Sequence, residues 1–533
     1  MALQLVKVAT ENYGTTLTTD ISVHISHGLP AMRILGMAAT KTKALHDRLR
    51  TISKELQLPW PCTRIIIQAD PHVNGLGQCA DLGIWLALQQ GLGIIEVPPT
   101  MVSIGRLGLE GQLRSTGALP LILAILAHGA DTEVESLLVP AALATQIQEF
   151  ASLCDNPPQI HAVNNVRQAM AVCRGATGYV VNCAQRRAVP IAGDADGGNS
   201  ESAYTRAIQS LGDFAEVVGQ EAAKGALELA AIGKHHCSII GPPGSGKSML
   251  VHRMPTIMPL LNATQALEVA VLTAQASNPS VELRWQVPLV APHHSISRSA
   301  LVGGGQHRLF PGAISLAHHG ILFLDEAGEI PGGILDCLRT PLEQREIVLT
   351  RVGGAKRFPA AFQLILAANP CRCGASAAQK CSCNATQRRH YLQNISGPLR
   401  DRLDLHICTT QVGQLRQQTT VESSAKIQQR VCAAYERSYH RWKKGGFAAA
   451  DCYNGAIPGS ILRREYPATI QGMEFLDAYM QVGMISQRSA DSILRIAWSI
   501  CDQQSDNKPD LDAIAQAMEC RGQLAGEPLE LST

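Results

Sequence analysis

The sequence predicts an α/β chain in which a core with a parallel sheet follows a first α/β domain and precedes a set of helices. A glycine-rich loop comes directly after a short apolar strand at residues 237–250 (CSIIGPPGSGKSML). A second apolar run, ILFLDE at residues 321–326, ends in two carboxylates, and continuous apolar runs are typical of parallel strands covered on both faces. Apolar and polar residues alternate near the start of the chain, which is typical of half-buried strands.

Length and composition allow about three domains with substantial cores, because the chain has 533 residues of which 46% are hydrophobic. The net charge of +2 does not indicate a nucleic-acid partner, so any basic surface must be local. The sixteen cysteines are mostly scattered, no apolar run reaches the length of a membrane span, and the first residues are not a signal peptide. We therefore expect a cytoplasmic protein without a membrane partner, its thiols free or bound to metal.

Composition and patterning divide the chain into four parts. Residues 1–180 form the first domain, with a β-rich run (RIIIQA) at 64–69 and an amphipathic helical pattern at 38–56. Residues 181–209 include a stretch rich in Gly, Ser, Asp and Ala, which predicts an exposed linker because it buries little apolar surface. The nucleotide-binding core occupies residues 210–410, and polar helical sequence dominates residues 411–533.

The glycine-rich loop matches the phosphate-loop pattern G-x-x-x-x-G-K-[ST]. Backbone N–H groups of such a loop point at phosphate oxygens, the lysine reaches the β- and γ-phosphates, and the hydroxyl after it holds Mg²⁺. In this chain these two side chains belong to Lys247 and Ser248. The predicted nucleotide-binding residues of the loop are Gly241, Pro242, Pro243, Gly244, Ser245, Gly246, Lys247 and Ser248.

Two further strand ends supply polar groups for the same chemistry. The strand at 321–324 is followed by Asp325 and Glu326, at the end of a parallel strand where catalytic groups lie. We expect Asp325 to bind nucleotide through the Mg²⁺ shell and Glu326 to orient the attacking water. The next apolar strand, FQLILAA at 362–368, ends at Asn369, which either serves the site or merely begins a turn.

Residues 210–410 resemble the AAA+ ATPases, and SGPLRDRLDLHI at 396–407 resembles the S-G-P-L-x-D-R-x-D-L-H segment of the ComM/YifB branch of magnesium-chelatase-like proteins. The resemblance implies ATP as the nucleotide and Asn369 as the sensor that positions water or the γ-phosphate. It implies that Arg402 is a finger inserted into a neighbour's nucleotide site. It also implies an α-helical lid whose second-sensor arginine is Arg488, with Arg495 as the alternative. A finger that acts on a neighbour implies a homo-oligomeric ring, expected to be a hexamer.

The first domain resembles the proteolytic half of Lon-type proteases in a degenerate form. The turn at 74–81 (NGLGQCAD) contains no serine, and the segment LRSTGALP at 113–120 contains no lysine. A nucleophile without a neighbouring base stays mostly protonated. Cys79 lies in that turn, but nothing local predicts its activation, so a buried or idle thiol is the favoured interpretation. We expect a non-catalytic module for oligomerisation or binding.

Two segments of the core resemble insertions of the magnesium-chelatase branch. Residues 291–320 form a glycine-rich stretch for which we expect DNA contact or a loop-forming role, with basic and imidazole side chains at His293, His294, Arg298, His307 and Arg308. Residues 346–362 predict a hairpin with Lys356 and Arg357 near its tip. In a ring such tips project into the central channel, where cations suit a phosphate backbone. A solvated turn is the alternative.

Four cysteines in the core form a separate cluster at Cys371, Cys373, Cys381 and Cys383. Four thiolates around one loop are a ligand set for tetrahedral Zn²⁺, although C-x-C is tighter than the usual C-x₂₋₄-C pairing. The sequence leaves a structural zinc ion and free thiols as alternatives.

The combined prediction is a hexameric ATPase that moves along single-stranded and branched DNA. The resemblance implies branch migration during natural transformation and homologous recombination, with recombination proteins as partners. Two alternatives remain open. A magnesium-chelatase motor subunit shares the ATPase core, and an ATP-dependent protease is disfavoured by the missing serine and lysine.

Overall fold

The fold was obtained as a computed structural model that describes residues 5–12, 15–35, 37, 39–69, 76–127, 134–181, 208–276, 281–305, 309–351, 354–375, 381–410 and 422–522. Most of the predicted linker, residues 182–207, lies outside the described residues, as do His307 and Arg308. Within the described residues, no helix combines the length and apolarity needed to cross a membrane.

The first part of the chain is a mixed α/β unit. Its strands are β1 (Leu5–Asn12), β2 (Thr15–Ser26), β3 (Ala31–Ile34), β4 (Arg64–Ala69), β5 (Met101–Ser103), β6 (Arg106–Leu107), β7 (Leu113–Arg114), β8 (Ser136–Pro140) and β9 (Gln159–Val163). Its helices are α1 (Ala39–Glu55), α2 (Asp81–Gly91), α3 (Leu119–Ala127), α4 (Ala144–Ala151) and α5 (Val166–Cys173). The strand predicted at 64–69 and the helix predicted at 38–56 are confirmed as β4 and α1.

Seven of these strands form one sheet with the order β3-β4-β2-β1-β5-β8-β9. Strand β2 runs antiparallel to both of its neighbours, and the other pairs are parallel. Helix α2 is buried from Asp81 to Gln90, which explains why its sequence is apolar on all sides. The carboxylate of Asp81 accepts hydrogen bonds from Arg48 and from the Leu107 backbone, so this buried acid has partners.

The second part is built on a five-stranded parallel sheet. Its strands and hairpins are β10 (Cys237–Ile240), β11 (Leu289–Val290), β12 (Gly303–Gly304), β13 (Phe310–Pro311), β14 (Ile321–Leu324), β15 (Glu346–Arg351), β16 (Gly354–Pro359), β17 (Gln363–Ala368) and β18 (Leu405–Cys408). The sheet order is β11-β14-β17-β10-β18, and all four neighbouring pairs are parallel. The carboxyl ends of these strands therefore share one edge, at which the loops after β10, β11, β14 and β17 meet.

Helices cover this sheet and connect it to the rest of the chain. They are α6 (Glu221–Gly233), α7 (Lys247–Arg253), α8 (Ala263–Gln275), α9 (Arg298–Val302), α10 (Ala313–Leu316), α11 (Gly332–Leu335), α12 (Arg339–Gln344), α13 (Ala385–Gln393) and α14 (Gly397–Arg400). Helix α3 of the first part packs against α8, and their buried side chains belong to one continuous apolar core. Burial of apolar surface therefore joins the first part to the core directly.

The last part is helical, as predicted. It consists of α15 (Ser424–Lys444), α16 (Gly459–Arg464), α17 (Ile470–Gln481), α18 (Gln487–Gln504) and α19 (Leu511–Cys520). The fully buried Trp442 forms edge-to-face contacts with Tyr466 and Trp498, at centroid distances of 4.9 and 6.0 Å. Arg430 holds the buried Glu228 of α6 with two bonds of 2.9 and 2.8 Å, which attaches this helical lid to the core. The predicted fold class, a parallel-sheet P-loop core with a helical lid and a preceding α/β part, is confirmed.

Candidate functional site

The phosphate loop connects β10 to α7, and its conformation depends on three glycines. Gly244 and Gly246 adopt φ angles of +73° and +86°, a region that L side chains rarely enter. A Cβ atom at Gly241 would overlap the side chain of Thr409, whose hydroxyl lies 2.7 Å from Ser245 Oγ. Backbone conformation and close packing therefore explain the spacing of glycines that the sequence pattern recorded.

Lys247 is the cation at the centre of the loop, and its side chain is 8% exposed. Its Nζ donates to the carbonyl oxygens of Gly241 (2.6 Å) and Pro242 (2.9 Å) and to Asn369 Oδ1 (3.0 Å). Burial lowers the pKa of Lys247, and the nearby carboxylates of Asp325 and Glu326 oppose that shift. The three protein oxygens stand in for the phosphate oxygens that such a lysine binds. Asn369, predicted to position water or the γ-phosphate, therefore lies at the phosphate loop.

Ser248 and Asp325 form the predicted metal-binding pair. Ser248 Oγ donates to Asp325 Oδ2 at 2.5 Å, and Asp325 Oδ1 accepts the Glu326 backbone N–H at 2.8 Å. A hydroxyl and a carboxylate in contact at the carboxyl edge of the sheet are hard oxygen donors, which fits a Mg²⁺ ion that keeps several waters. When bound, Mg²⁺ supplies charge neutralisation of the β- and γ-phosphates.

Glu326 has a partner that the sequence analysis did not assign to it. Its backbone is left-handed, with φ +51°, and its Oε2 lies 2.7 Å from Nδ1 of His294. Strand β11 is the sheet neighbour of β14, so the segment after β11 reaches the carboxyl end of β14. His293 instead bonds within its own loop, to Ser295 Oγ at 2.8 Å. Of the two adjacent histidines, only His294 contacts the predicted water-orienting carboxylate.

Arg402 and Arg488 lie together, bound to one carboxylate. Glu343 Oε1 accepts from Arg402 Nη2 at 2.5 Å and from Arg488 Nη2 at 3.1 Å. Burial alone would raise the pKa of Glu343, but the two guanidinium groups lower it below its usual value. In the part of the chain that the structure describes, neither arginine hydrogen bonds to the phosphate loop of its own subunit. The rival arginine, Arg495, donates from Nε to the Ile457 carbonyl at 2.9 Å.

The predicted hairpin is confirmed as β15 and β16, but one part of the prediction is wrong. Lys356 does not lie exposed near the tip: it pairs with Leu349, is 3% exposed, and donates from Nζ to the Leu309 carbonyl at 3.1 Å. Arg357 points to the opposite face, where its side chain is 70% exposed and 2.6 Å from Glu346. Neighbouring residues of a strand face opposite sides, so only one of the two is presented to solvent.

The cationic residue next to the hairpin tip is Arg351. It pairs with Gly354 at the end of β15, and its side chain is exposed. The tip itself, residues 352–353, lies outside the described residues. Arg351 and Arg357 are therefore the basic side chains that this hairpin offers to a partner.

The four predicted cysteines meet in one cluster. The sulfur of Cys371 lies 3.2 Å from that of Cys373 and 3.5 Å from that of Cys381, while Cys373 and Cys381 are 3.6 Å apart. The sulfur of Cys383 belongs to the same group, whose ligand atoms all lie within 4.8 Å of one another. Four sulfurs around zinc with bonds of about 2.3 Å are about 3.8 Å apart, so this donor set fits tetrahedral Zn²⁺.

A second group, Glu268 with His318 and His319, fits a metal poorly. His318 Nδ1 accepts the Ala361 backbone N–H at 3.0 Å, so the ring proton resides on Nε2, which faces Glu268 Oε2 at 3.3 Å. That nitrogen is a donor and has no lone pair for a metal. Burial lowers the pKa of His319 to about 4, against the opposing hydrogen bond to Glu268.

The thiol of Cys79 has a backbone carbonyl as a hydrogen-bond acceptor. It is buried and lies 3.6 Å from the Thr116 carbonyl oxygen, to which it donates. A thiol that donates to a backbone carbonyl is held in its protonated form. The expectation of a buried or idle cysteine stays a prediction.

Comparisons with known proteins place these features in one family. The model of "Magnesium chelatase, subunit ChlI" matches residues 213–417, its C-terminal counterpart matches 421–521, and "Subunit ChlI of Mg-chelatase" matches 21–142. Protein Rv2897c of Mycobacterium tuberculosis is 35% identical, over 94% of this chain and 95% of its own length. YifB of Escherichia coli is 32% identical (91% and 90% covered), and competence protein ComM of Haemophilus influenzae is 30% identical (94% and 94%). The chain belongs to the ComM/YifB-type magnesium-chelatase-like family.

The sequence analysis did not assign the roles of three side chains of this ComM/YifB-type site, although it had named His294 for DNA contact or loop structure. Glu343, His294 and Arg351 become visible only through contacts between distant segments or through strand register. A signal for His294 was nevertheless present, because a polar segment that follows a strand next to β14 must end near Glu326. Glu343 had no such signal, since an acidic residue in a helix is usually solvated.

We expect His294→Ala to raise basal ATP turnover about fivefold, because loss of a polar contact worth about 1 kcal/mol frees Glu326 to orient water. Steady-state ATPase assays without DNA measure this change. His293→Ala is the matched control and should leave turnover within twofold of the parent. Equal rates for the two variants would contradict the role given to His294.

Proposed function

We propose that this ComM/YifB-type chain is an ATP-driven, hexameric DNA translocase that promotes branch migration during natural transformation and homologous recombination. The observation that carries the ATPase half is the convergence of Lys247, Ser248, Asp325 and Asn369 at one sheet edge. The DNA half is supported by the likeness to competence protein ComM along nearly the whole chain. It also has support from the exposed arginines of the hairpin.

In this function Lys247 exchanges its three protein acceptors for phosphate oxygens of ATP. Ser248 and Asp325 hold the metal side of the nucleotide, and Asn369 positions the γ-phosphate or the water beside it. Glu326 orients the attacking water once His294 has moved away from it. Because the transition state spreads negative charge over the γ-phosphate oxygens, a further cation that approaches from outside this set would stabilise it.

We propose that Arg402 and Arg488 supply that cation to the neighbouring subunit. Both guanidinium groups bind Glu343, near the end of α12, so one movement of that helix end would bring both to the neighbouring subunit. Sharing a carboxylate also keeps two like charges close together before a partner arrives. If Arg402 acts on the neighbour, Arg488 faces the same interface. A closed ring follows, because every subunit donates its arginines to one neighbour and receives those of the other.

The proposed DNA partner is recognised through its backbone. Arg351 and Arg357 are the exposed cations of the hairpin, and exposed guanidinium groups suit contacts with phosphates, which position a protein on DNA without reading its sequence. Single-stranded and branched DNA is the substrate class, and recombination proteins are the proposed partners. The reduced state expected for the cysteines agrees with a place in the cytoplasm, which we also propose.

The remaining assignments follow the same proposal. The cysteine cluster holds a structural zinc ion, because no catalytic group of the described residues contacts its sulfurs. The first α/β part, residues 1–180, is a non-catalytic module, residues 210–410 are the ATPase core, and residues 411–533 are the lid.

A magnesium-chelatase motor subunit is the second candidate function. The ChlI family models favour it, and a 38 kDa magnesium-chelatase subunit of Rhodobacter capsulatus is 29% identical, but over only 30% of this chain. Stimulation of ATP hydrolysis by DNA alone distinguishes the two functions, because DNA is not a substrate of a chelatase motor subunit. An ATP-dependent protease is disfavoured by Cys79, whose thiol donates to a backbone carbonyl.

We expect purified protein to unwind forked DNA and move Holliday junctions with ATP, and Arg351→Ala/Arg357→Ala to lose this activity. The variant should keep basal ATPase within twofold, while its DNA affinity falls about tenfold or more because two phosphate contacts are lost. Gel-based unwinding and ATPase with and without DNA measure both quantities.

Lys43→Ala/Lys54→Ala, which removes two exposed cations from α1, is the charge-matched control and should behave as the parent. Glu326→Gln should bind DNA but unwind none. The DNA half of the proposal would be lost if the parent protein showed no DNA-stimulated turnover.

We expect two inactive variants, Lys247→Ala and Arg488→Ala, to recover activity when mixed. In a ring, an Arg488→Ala subunit next to a Lys247→Ala subunit has an intact phosphate loop and receives an intact arginine. Random mixing at equal amounts gives roughly a quarter of the interfaces this composition, so about that share of parental turnover should return.

Mixing Lys247→Ala with Arg402→Ala should recover to the same extent. Mixing Lys247→Ala with Glu326→Gln is the negative control, because both residues serve the same subunit's nucleotide. Recovery with Arg402→Ala but not with Arg488→Ala would place Arg488 at its own subunit's site.

We expect purified protein to contain about one zinc ion per chain, measured by plasma mass spectrometry, because four thiolates bind one ion. Cys381→Ser/Cys383→Ser should lose the metal and melt at a lower temperature. Cys62→Ser alters an exposed cysteine outside the cluster and should keep both properties. Metal-free parent protein with an unchanged melting temperature would favour free thiols.

A further inference from the structure

A polar cleft lies at the edge of the parallel sheet opposite to the phosphate loop. It encloses about 390 Å³ of unfilled space, part of which is open to solvent. Its polar walls come from Lys234 and His236, just before β10, from Arg345, just before β15, and from Asp404 and Tyr453. The ATP chemistry described above uses none of these residues.

Lys234 supplies a cation without a carboxylate partner among the described residues. It caps α6 in a left-handed conformation with φ +51°. Its Nζ lies 5.1 Å from the ring centre of Tyr453 and 5.6 Å from that of Tyr435. Aromatic faces stabilise an ammonium group only partly, and they satisfy none of its N–H donors with a lone pair.

Arg345 brings a second cation to the same aromatic ring. Its guanidinium carbon lies 5.4 Å from the centre of Tyr453, and the group is paired with Asp451. Among the described residues, the two cations at the Tyr453 ring therefore have one carboxylate partner between them, Asp451, which pairs with Arg345. Burial, followed by the nearby Arg345, lowers the pKa of Lys234 to about 8.

His236 adds a neutral donor. Its Nδ1 accepts the Leu364 backbone N–H at 3.1 Å, so the ring proton is on Nε2. Burial lowers the pKa of His236 to about 4, which keeps the ring neutral at physiological pH. The one carboxylate on the cleft wall, Asp404, is engaged by His235 Nδ1 at 3.2 Å. The cleft thus combines two cations and one N–H donor with an acid already occupied elsewhere.

We propose that this cleft binds a small tetrahedral oxyanion of the phosphate class. Such an anion accepts from Lys234, Arg345 and His236 Nε2 at once and gives the Lys234 ammonium the acceptor that its aromatic neighbours do not supply. Planar carboxylates offer fewer acceptors for three donors that come from different walls. A terminal phosphoryl group on a larger molecule presents the same chemistry as free phosphate.

The position of the cleft gives the ligand a structural effect. Arg345 directly precedes the hairpin strand β15, and residues 360–362, which also line the cleft, directly follow β16. Lys234 and His236 lead into the strand of the phosphate loop, and Tyr453 belongs to the lid. A bound anion would tie the base of the hairpin to both, and thus stabilise their relative positions.

The test uses full-length protein with saturating ADP and Mg²⁺, so that the phosphate loop is filled. Sodium phosphate should raise the melting temperature by about 2–4 °C relative to sodium chloride at equal ionic strength. Lys234→Met should lose this rise, while Lys426→Met, which removes an exposed cation from α15, should keep it. Equal responses of the two variants, or no response of the parent, would overturn the proposal.

A second measurement needs no variant. Lys234 should react with an amine-modifying reagent at pH 8 faster than Lys426, and phosphate should slow its modification at least threefold, as read by peptide mass spectrometry. Unchanged modification of Lys234 with phosphate present would reject the site. Phenyl phosphate distinguishes the sources: equal protection indicates a terminal phosphoryl group, and protection by inorganic phosphate alone indicates the free ion. Neither assay involves DNA or ring assembly, so the outcome is independent of the proposed function.

Discussion

A buried ammonium group is stabilised by oxygen acceptors around it, and this requirement organises the carboxyl edge of the parallel sheet. Lys247 meets it with two carbonyls of its own loop and the amide oxygen of Asn369. Because Asn369 ends β17, the lysine joins two neighbouring strands, β10 and β17, through one hydrogen bond. Ser248 and Asp325 repeat the arrangement between α7 and β14. A nucleotide that enters replaces bonds that already exist, so the site is preorganised.

Among the described residues, the two arginines expected to bring a further cation to the γ-phosphate are bound to Glu343 and not to the phosphate loop. This separation has a physical sense. Completing the charge of the site inside one subunit would allow hydrolysis without assembly, whereas distributing it between two subunits, as we propose, would make turnover depend on the ring. The contact of His294 with Glu326 acts in the same direction, because it occupies the carboxylate that water needs.

Sequence predicted the elements with strong local signals. The phosphate loop, the two carboxylates after β14 and Asn369 were found because glycine spacing and apolar runs are local properties, and because parallel strands align their ends. Strand β4 and helix α1 were predicted within one residue at each end for the same reason. Contacts between distant segments were not predictable: Arg402 and Arg488 lie 59 and 145 residues from Glu343. The exposure of Lys356 was predicted wrongly, because the side of the hairpin on which its side chain lies depends on the strand register. Two adjacent basic residues in the sequence do not reveal that register. The order of strands in the first sheet likewise depends on pairings between remote segments.

The packing of α3 against α8 has a mechanical consequence. An apolar seam resists sliding, since any displacement would expose hydrocarbon to water. The first α/β part is therefore coupled to helix α8 of the core. A force that a bound partner exerts on the first part would reach the parallel sheet next to the phosphate loop. The first α/β part, for which we propose no catalytic role, is thus placed to transmit force to the core.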